Sequence, residues 1–148
     1  MISNSEQVIL EEICQNSKAA LLDIHTIISK VYDDDLALDL NRQAAKYSRL
    51  QEIASDNLLK TGIIPVPISI LDRMKRWSAI QANTALNIST EHVADMMIKE
   101  NTTRLGKMLH AVKQNKVINA MTCELAEEFL DFEEKNIRIL KSYLSASK

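Results

Sequence analysis

Glycine and proline are nearly missing from these 148 residues, with two of each, where average usage is roughly 7% and 5%. Loops are therefore expected to be few and short, and no Gly-rich phosphate loop can be written. Both prolines and one glycine fall in a single patch, Gly62-Ile63-Ile64-Pro65-Val66-Pro67, the one strong breaker in the chain. Cysteine is scarce too. Cys14 and Cys123 lie 109 positions apart with no CxxC spacing, so both are expected to be reduced, small core residues. A formal net charge of −2 supplies no long-range field toward a phosphate backbone or an anionic bilayer, which argues against nucleic acid and membrane as partners. No stretch approaches the ~18 uninterrupted apolar residues of a membrane span. The first residues, Met1 to Gln7, carry no basic start and no apolar run behind them, so a cytoplasmic location is expected.

What is present is helical periodicity. Hydrophobic residues make up 46% and charged residues 26%, which suits one domain over 1–148 with one core. Ser5 reads as the N-cap of a first helix, about 5 to 31, with Ile9, Leu10, Ile13, Ala20, Leu21, Ile24, Ile28 and Val31 on its apolar face. Asp33-Asp34-Asp35 reads as cap and dipole complement for a second helix, which carries Leu36, Leu40, Ala44, Tyr47, Ala54 and Leu58 and stops near Lys60 with Gly62 behind it. A calcium loop would need alternating ligands and a glycine, which this triplet lacks.

A third helical segment, about 68 to 87, holds Ile70, Leu71, Met74, Trp77 and Ile80. Ser89 caps a fourth, about 90 to 115, with Val93, Met96, Met97, Leu105, Met108, Leu109 and Val112 as its apolar face. The fifth starts after Gln114-Asn115-Lys116 and carries Ile118, Met121, Leu125, Phe129, Phe132, Leu140 and Leu144. The expected fold is an all-α, up-down bundle of four long helices plus a crossover helix. Short links make sequential helices antiparallel. Helices two and four then run parallel, joined by the ascending third.

The segment Ser89-Thr90-Glu91-His92-Val93-Ala94-Asp95-Met96-Met97-Ile98-Lys99-Glu100-Asn101-Thr102-Thr103 resembles part of small, uncharacterised bacterial proteins of the ferritin-like superfamily. So does the carboxylate-rich Leu125-Ala126-Glu127-Glu128-Phe129-Leu130-Asp131-Phe132-Glu133-Glu134-Lys135-Asn136-Ile137. The resemblance implies a ferritin-like bundle, whose connectivity agrees with the helix directions above. Di-iron members carry Glu-x-x-His pairs. Here the residues three before His25, His92 and His110 are Leu22, Ser89 and Lys107, so that chemistry is not implied.

Glu100 continues the row Val93, Met97, Glu100, Arg104, Met108 at helical spacing, and a carboxylate in an apolar stripe needs a partner. It is the one residue carried over as a metal-ligand candidate, its bland counterpart being an ion pair with Arg104. With Asn101, and with Asn136 from the row Phe129, Phe132, Asn136, Leu140, it forms an expected polar core layer. Glu124, Glu127, Glu128, Asp131, Glu133 and Glu134 make an acidic, solvated face. Glu128 and His25 are further metal candidates. Trp77, Arg73 and Arg76 are candidates for ligand or partner contact, although Trp77 as core packing is the preferred reading. The methionines suit core filling or adaptable partner binding, and Gly106 suits a close helix crossing.

No catalytic constellation is complete. The favoured expectation is a non-catalytic bundle that acts by protein interaction or self-assembly as a homo-oligomer, with no cofactor. The alternatives are a divergent metal or iron protein built on Glu100 and carboxylates of the last helix, and a small-ligand site between helices lined by Trp77, methionines and Glu100.

Overall fold

The computed structural model describes residues 3–116 and 118–145; Met1 and Ile2, which opened the reading of the N-terminus, lie outside the described residues. Among the described residues there are five α-helices, one 3-10 turn and no strand. Helix α1 (Asn4–Ile27) starts after Ser3, whose extended backbone lets its hydroxyl accept the Glu6 N–H at 3.1 Å. Ser3 is the cap, and Ser5 lies inside the first turn. Helix α1 then tightens into a 3-10 turn, Ile28–Lys30, instead of running on to Val31.

Asp33 caps α2 (Asp34–Lys60) through its carboxylate on the Leu36 N–H, 2.9 Å away. At the other end, the Gly62 N–H reaches back to the Leu59 carbonyl and the Ile63 N–H to that of Leu58, both at 3.0 Å. This Schellman closure requires the left-handed backbone of Gly62, φ +82°. Helix α3 (Ile70–Thr84) is shorter than expected because the Ser69 hydroxyl caps it on the Asp72 N–H. Ser89 caps α4 (Thr90–Gln114). Asn119 caps α5 (Ala120–Ser145) by accepting the Thr122 N–H at 2.8 Å, so Ile118 stays outside that helix.

Helix α1 packs on α2, α3, α4 and α5, while α5 also packs on α2 and α4. The buried Glu6 carboxylate accepts the backbone and side-chain N–H groups of Asn119, which pins the α4–α5 link to the starting end of α1. Tyr143 donates to Asp39, and Tyr47 to Glu133 further along; these pairs run α2 and α5 antiparallel.

The core is built from Ile9, Ile13 and Ile24 of α1, Leu36, Leu40, Leu50 and Leu58 of α2, Val93, Met97 and Met108 of α4, and Phe129 and Leu140 of α5. Each such burial is worth about 1.5–3 kcal/mol. No helix among the described residues is long and apolar enough to cross a membrane.

Several expected core positions face outward. Met108 and Thr122 take the inward positions, which turns their neighbours Leu109 and Met121 out by about 100°. Met74 points away from the α3 face that holds buried Ile80 and Thr84. Cys14 is buried, its sulfur 3.4 Å from the Ser55 hydroxyl, and burial pushes its thiol up. Cys123 is exposed in the first turn of α5, contrary to its expected place in the core. Gly106 is exposed, with nothing near its missing side chain, so no helix crosses closely there.

Candidate functional site

A charged layer crosses the bundle interior. On α4 the inward row is Val93, Met97, Asn101, Arg104, Met108. The step of four from Met97 to Asn101 leaves Glu100 at the edge, with 44% of its side chain exposed. The expected polar layer therefore keeps Asn101 and Asn136, both buried, and loses Glu100. On α5 the inward row is Phe129, Glu133, Asn136, Leu140, so Glu133 sits in the core and not on the solvated acidic face. Asp23 of α1 and Tyr47 of α2 complete the layer from the other two long helices.

Arg104, whose side chain is only 2% exposed, lies at the centre. Its Nη1 is 3.5 Å from Asp23 Oδ2, and its Nε is 3.5 Å from Glu133 Oε1. Its Nη2 donates to Asn101 Oδ1 and, at 3.5 Å, to the Tyr47 hydroxyl. The guanidinium carbon stands 5.5 Å from the Tyr47 ring centroid, a cation–π contact. The expected Glu100–Arg104 pair does not form; Glu100 is 3.6 Å from Arg76, which also donates to Asp23 at 2.8 Å.

Burial pushes the Asp23 carboxyl up, opposed by the cations of Arg76 and Arg104. Burial likewise raises Glu133, opposed by Arg104 and by hydrogen bonds from Tyr47 and Arg104. Burial also holds the Tyr47 hydroxyl well above its ordinary value, so it stays a donor to Glu133. Glu133 Oε2 and Asn101 Nδ2 are buried in this layer without a hydrogen-bond partner.

The three metal candidates are not brought together. Glu100 borders a groove between α1, α3 and α4, exposed His25 borders a second groove beside Pro67, and exposed Glu128 borders a third between α2 and α5 and pairs with Lys46. Among the described residues no group of three His, Cys, Asp or Glu side chains is placed to hold a metal ion. The first groove, about 510 Å³, is floored by Met96, Met97 and Ile80; Trp77 is not part of it.

Trp77 is 58% exposed, which corrects its expected place in the core. Helix α3 turns Asp72, Arg76, Ile80 and Asn83 toward α1 and α4, leaving Ile70, Leu71, Met74 and Trp77 together on the opposite, solvent side. Arg73 and Lys75, both exposed, flank that stripe. The flanking connections add exposed Ile64, Val66, Leu86 and Ile88.

Of the residues that matter most, Asp23 was not singled out from the sequence, Glu133 was assigned to the solvated face, and Arg104 was placed on the inward row of α4 with Glu100 as its partner. The signal was present for Glu133, four residues after Phe129 and three before Asn136. For Arg104 the inward spacing holds, but its partners are Asp23 and Glu133 and not Glu100. No family model, curated protein or solved structure matches this chain.

Proposed function

We propose that this protein is a ferritin-like, non-catalytic helical bundle that acts through protein interaction, with the outer face of α3 as its contact surface. The observation that carries the reading is the two-sidedness of α3. One side rests on the bundle, while the other presents Ile70, Leu71, Met74 and Trp77 to solvent. Large apolar side chains gathered on one exposed helix face suit an interface, and Trp77, at the C-terminal end of the stripe, is a typical interface anchor. The ferritin-like part of the proposal rests on α2 and α4 being joined through the α3 segment, and on four long helices meeting at one polar layer. In that layer Arg104 supplies the positive charge between Asp23 and Glu133 that a cation would otherwise supply.

The cations beside the stripe suit an acidic partner surface. Stripe-on-stripe pairing of two copies would set Arg73 and Lys75 against like charges. The exposed row Glu124, Glu127, Asp131 and Glu134 on α5 is the complementary surface on the chain itself, so a second copy is the first partner to test. Light scattering after chromatography should give a mass above the monomer at low salt, falling with Trp77→Ala and with Arg73→Glu. A clean monomer at high concentration and low salt sinks self-assembly. Stoichiometric iron, manganese or zinc in untagged protein, lost on Glu100→Ala, would overturn the non-catalytic reading.

A second reading has its own observation, the groove of about 510 Å³ between α1, α3 and α4, which joins an apolar methionine floor to Lys75, Arg76, Glu12 and Glu100. It supports a small-ligand site. Thermal-shift screening with metabolites tests it, and no hit across a broad panel counts against it.

A further inference from the structure

The groove between α2 and α5 lies on the far side of the bundle from α3 and has a volume of about 510 Å³. Gln43 and Asn136 sit at its middle, with Phe132 toward one end and Ile139 toward the other. Gln43 is 3% exposed, and neither its amide nitrogen nor its amide oxygen has a protein partner. A buried, unpaired carboxamide is costly, and Leu or Met would fill the same inward position of α2 without that cost. Asn136 is already engaged, donating to the Tyr47 hydroxyl at 3.4 Å. The six charged residues of the lining balance, Arg42, Lys46 and Lys135 against Asp39, Glu128 and Asp131. A neutral guest is therefore favoured over an ion.

We propose that this groove is a binding site for a small, neutral, planar molecule with adjacent C=O and N–H groups, such as a lactam, cyclic imide or carboxamide-bearing ring. Gln43 donates one N–H to the guest's carbonyl and accepts the guest's N–H at its own oxygen. Phe132 and Ile139 supply apolar walls for the ring. Entry parts the Lys46–Glu128 pair at the rim; both side chains are partly exposed, so opening it costs little. The site is independent of the contact surface on α3.

The test is an NMR titration of the 15N-labelled full chain with uracil, 2-pyridone and nicotinamide, beside 1,3-dimethyluracil, in which both ring N–H groups are blocked. The expected result is a saturable shift of the Gln43 side-chain NH2 pair and of the backbone amides of Phe132 and Asn136 with at least one of the first three probes. Dimethyluracil should leave them unmoved. Gln43→Leu should remove the response at Phe132 and Asn136, or weaken affinity at least ten-fold, while raising the melting temperature. Gln43→Met serves if the Leu variant does not fold. No shift with any of the three probes, equal shifts with dimethyluracil, or an undiminished response in the folded Gln43 variant would each overturn the proposal. Occupancy by water alone gives the first of these results.

Discussion

Replacing Arg104 with Met keeps roughly the same volume in the core and deletes the charge between Asp23 and Glu133. The two carboxylates do not suffer alike. Asp23 retains Arg76 at 2.8 Å, whereas Glu133 retains only the Tyr47 hydroxyl. A fully buried carboxylate without a cation escapes by holding a proton. Against the ordinary value of 4.5 for Glu133, keeping it protonated at pH 7 costs about 2.5 pH units, or ~3.4 kcal/mol. That agrees with the ~3–5 kcal/mol typical of removing one partner from a buried ion pair. At pH 5 the same reckoning leaves only ~0.7 kcal/mol. The assay is urea unfolding followed by far-UV circular dichroism, since Trp77 is too exposed for its fluorescence to report core packing. Because Glu133 is already raised in the wild type, the pH 7 figure is a ceiling: Arg104→Met should lose up to about 3 kcal/mol at pH 7, equivalent to roughly 10 °C in Tm for a chain of this size, and most of that loss should vanish by pH 5. Adding Glu133→Gln should flatten this pH dependence. A loss below ~1 kcal/mol at pH 7, or one that does not change with pH, refutes the reasoning.

Further outcomes are expected. In the unaltered protein, Asp23 and Glu133 bind their protons more tightly folded than unfolded. Their contribution to stability is in full below the ordinary carboxylate range and is lost as pH rises through their raised values. The urea midpoint of wild type should accordingly exceed that of Asp23→Asn by more in weak acid than at neutral pH, and the opposite trend would contradict the raised carboxyls. Gly62→Ala forces an L residue into φ +82° and should cost about 1–2 kcal/mol. Gly106→Ala, in a helix with open space around the added carbon, should gain about 0.8–1 kcal/mol; calorimetry reads the opposite signs of the two glycine variants directly. Trp77→Ala should leave the unfolding free energy within ~0.5 kcal/mol of wild type while reducing the mass seen by light scattering, and a large stability loss would place Trp77 in the core after all.

The five helices, their order and most of their ends were legible in the sequence. Ser89, Asp33 and Gly62 are local signals whose chemistry acts within one turn, and the apolar spacing identifies helices without any neighbour. Ser3 in place of Ser5 is a case where two acceptable caps stood close together. Backbone geometry chose between them.

The charged layer is different in kind. Helical periodicity resolves a face to about one residue step of 100°, which is too coarse to separate Glu100 from Asn101, or Phe132 from Glu133, as the residue turned inward. Which of each pair faces the core depends on how α4 and α5 roll against α1 and α2, and that roll is set by packing across the bundle. The same holds for α3. Its sequence is amphipathic by any reading, and the apolar side was expected to be the buried one. In the folded chain Asp23 and Glu100 draw Arg76 inward, and the apolar side is left outside. Secondary structure and chain order therefore followed from the sequence, because caps, breakers and periodicity act locally. The partners of Arg104, the inward turn of Glu133 and the outward turn of Trp77 were decided only in the tertiary structure, because buried charges take their places from partners on other helices.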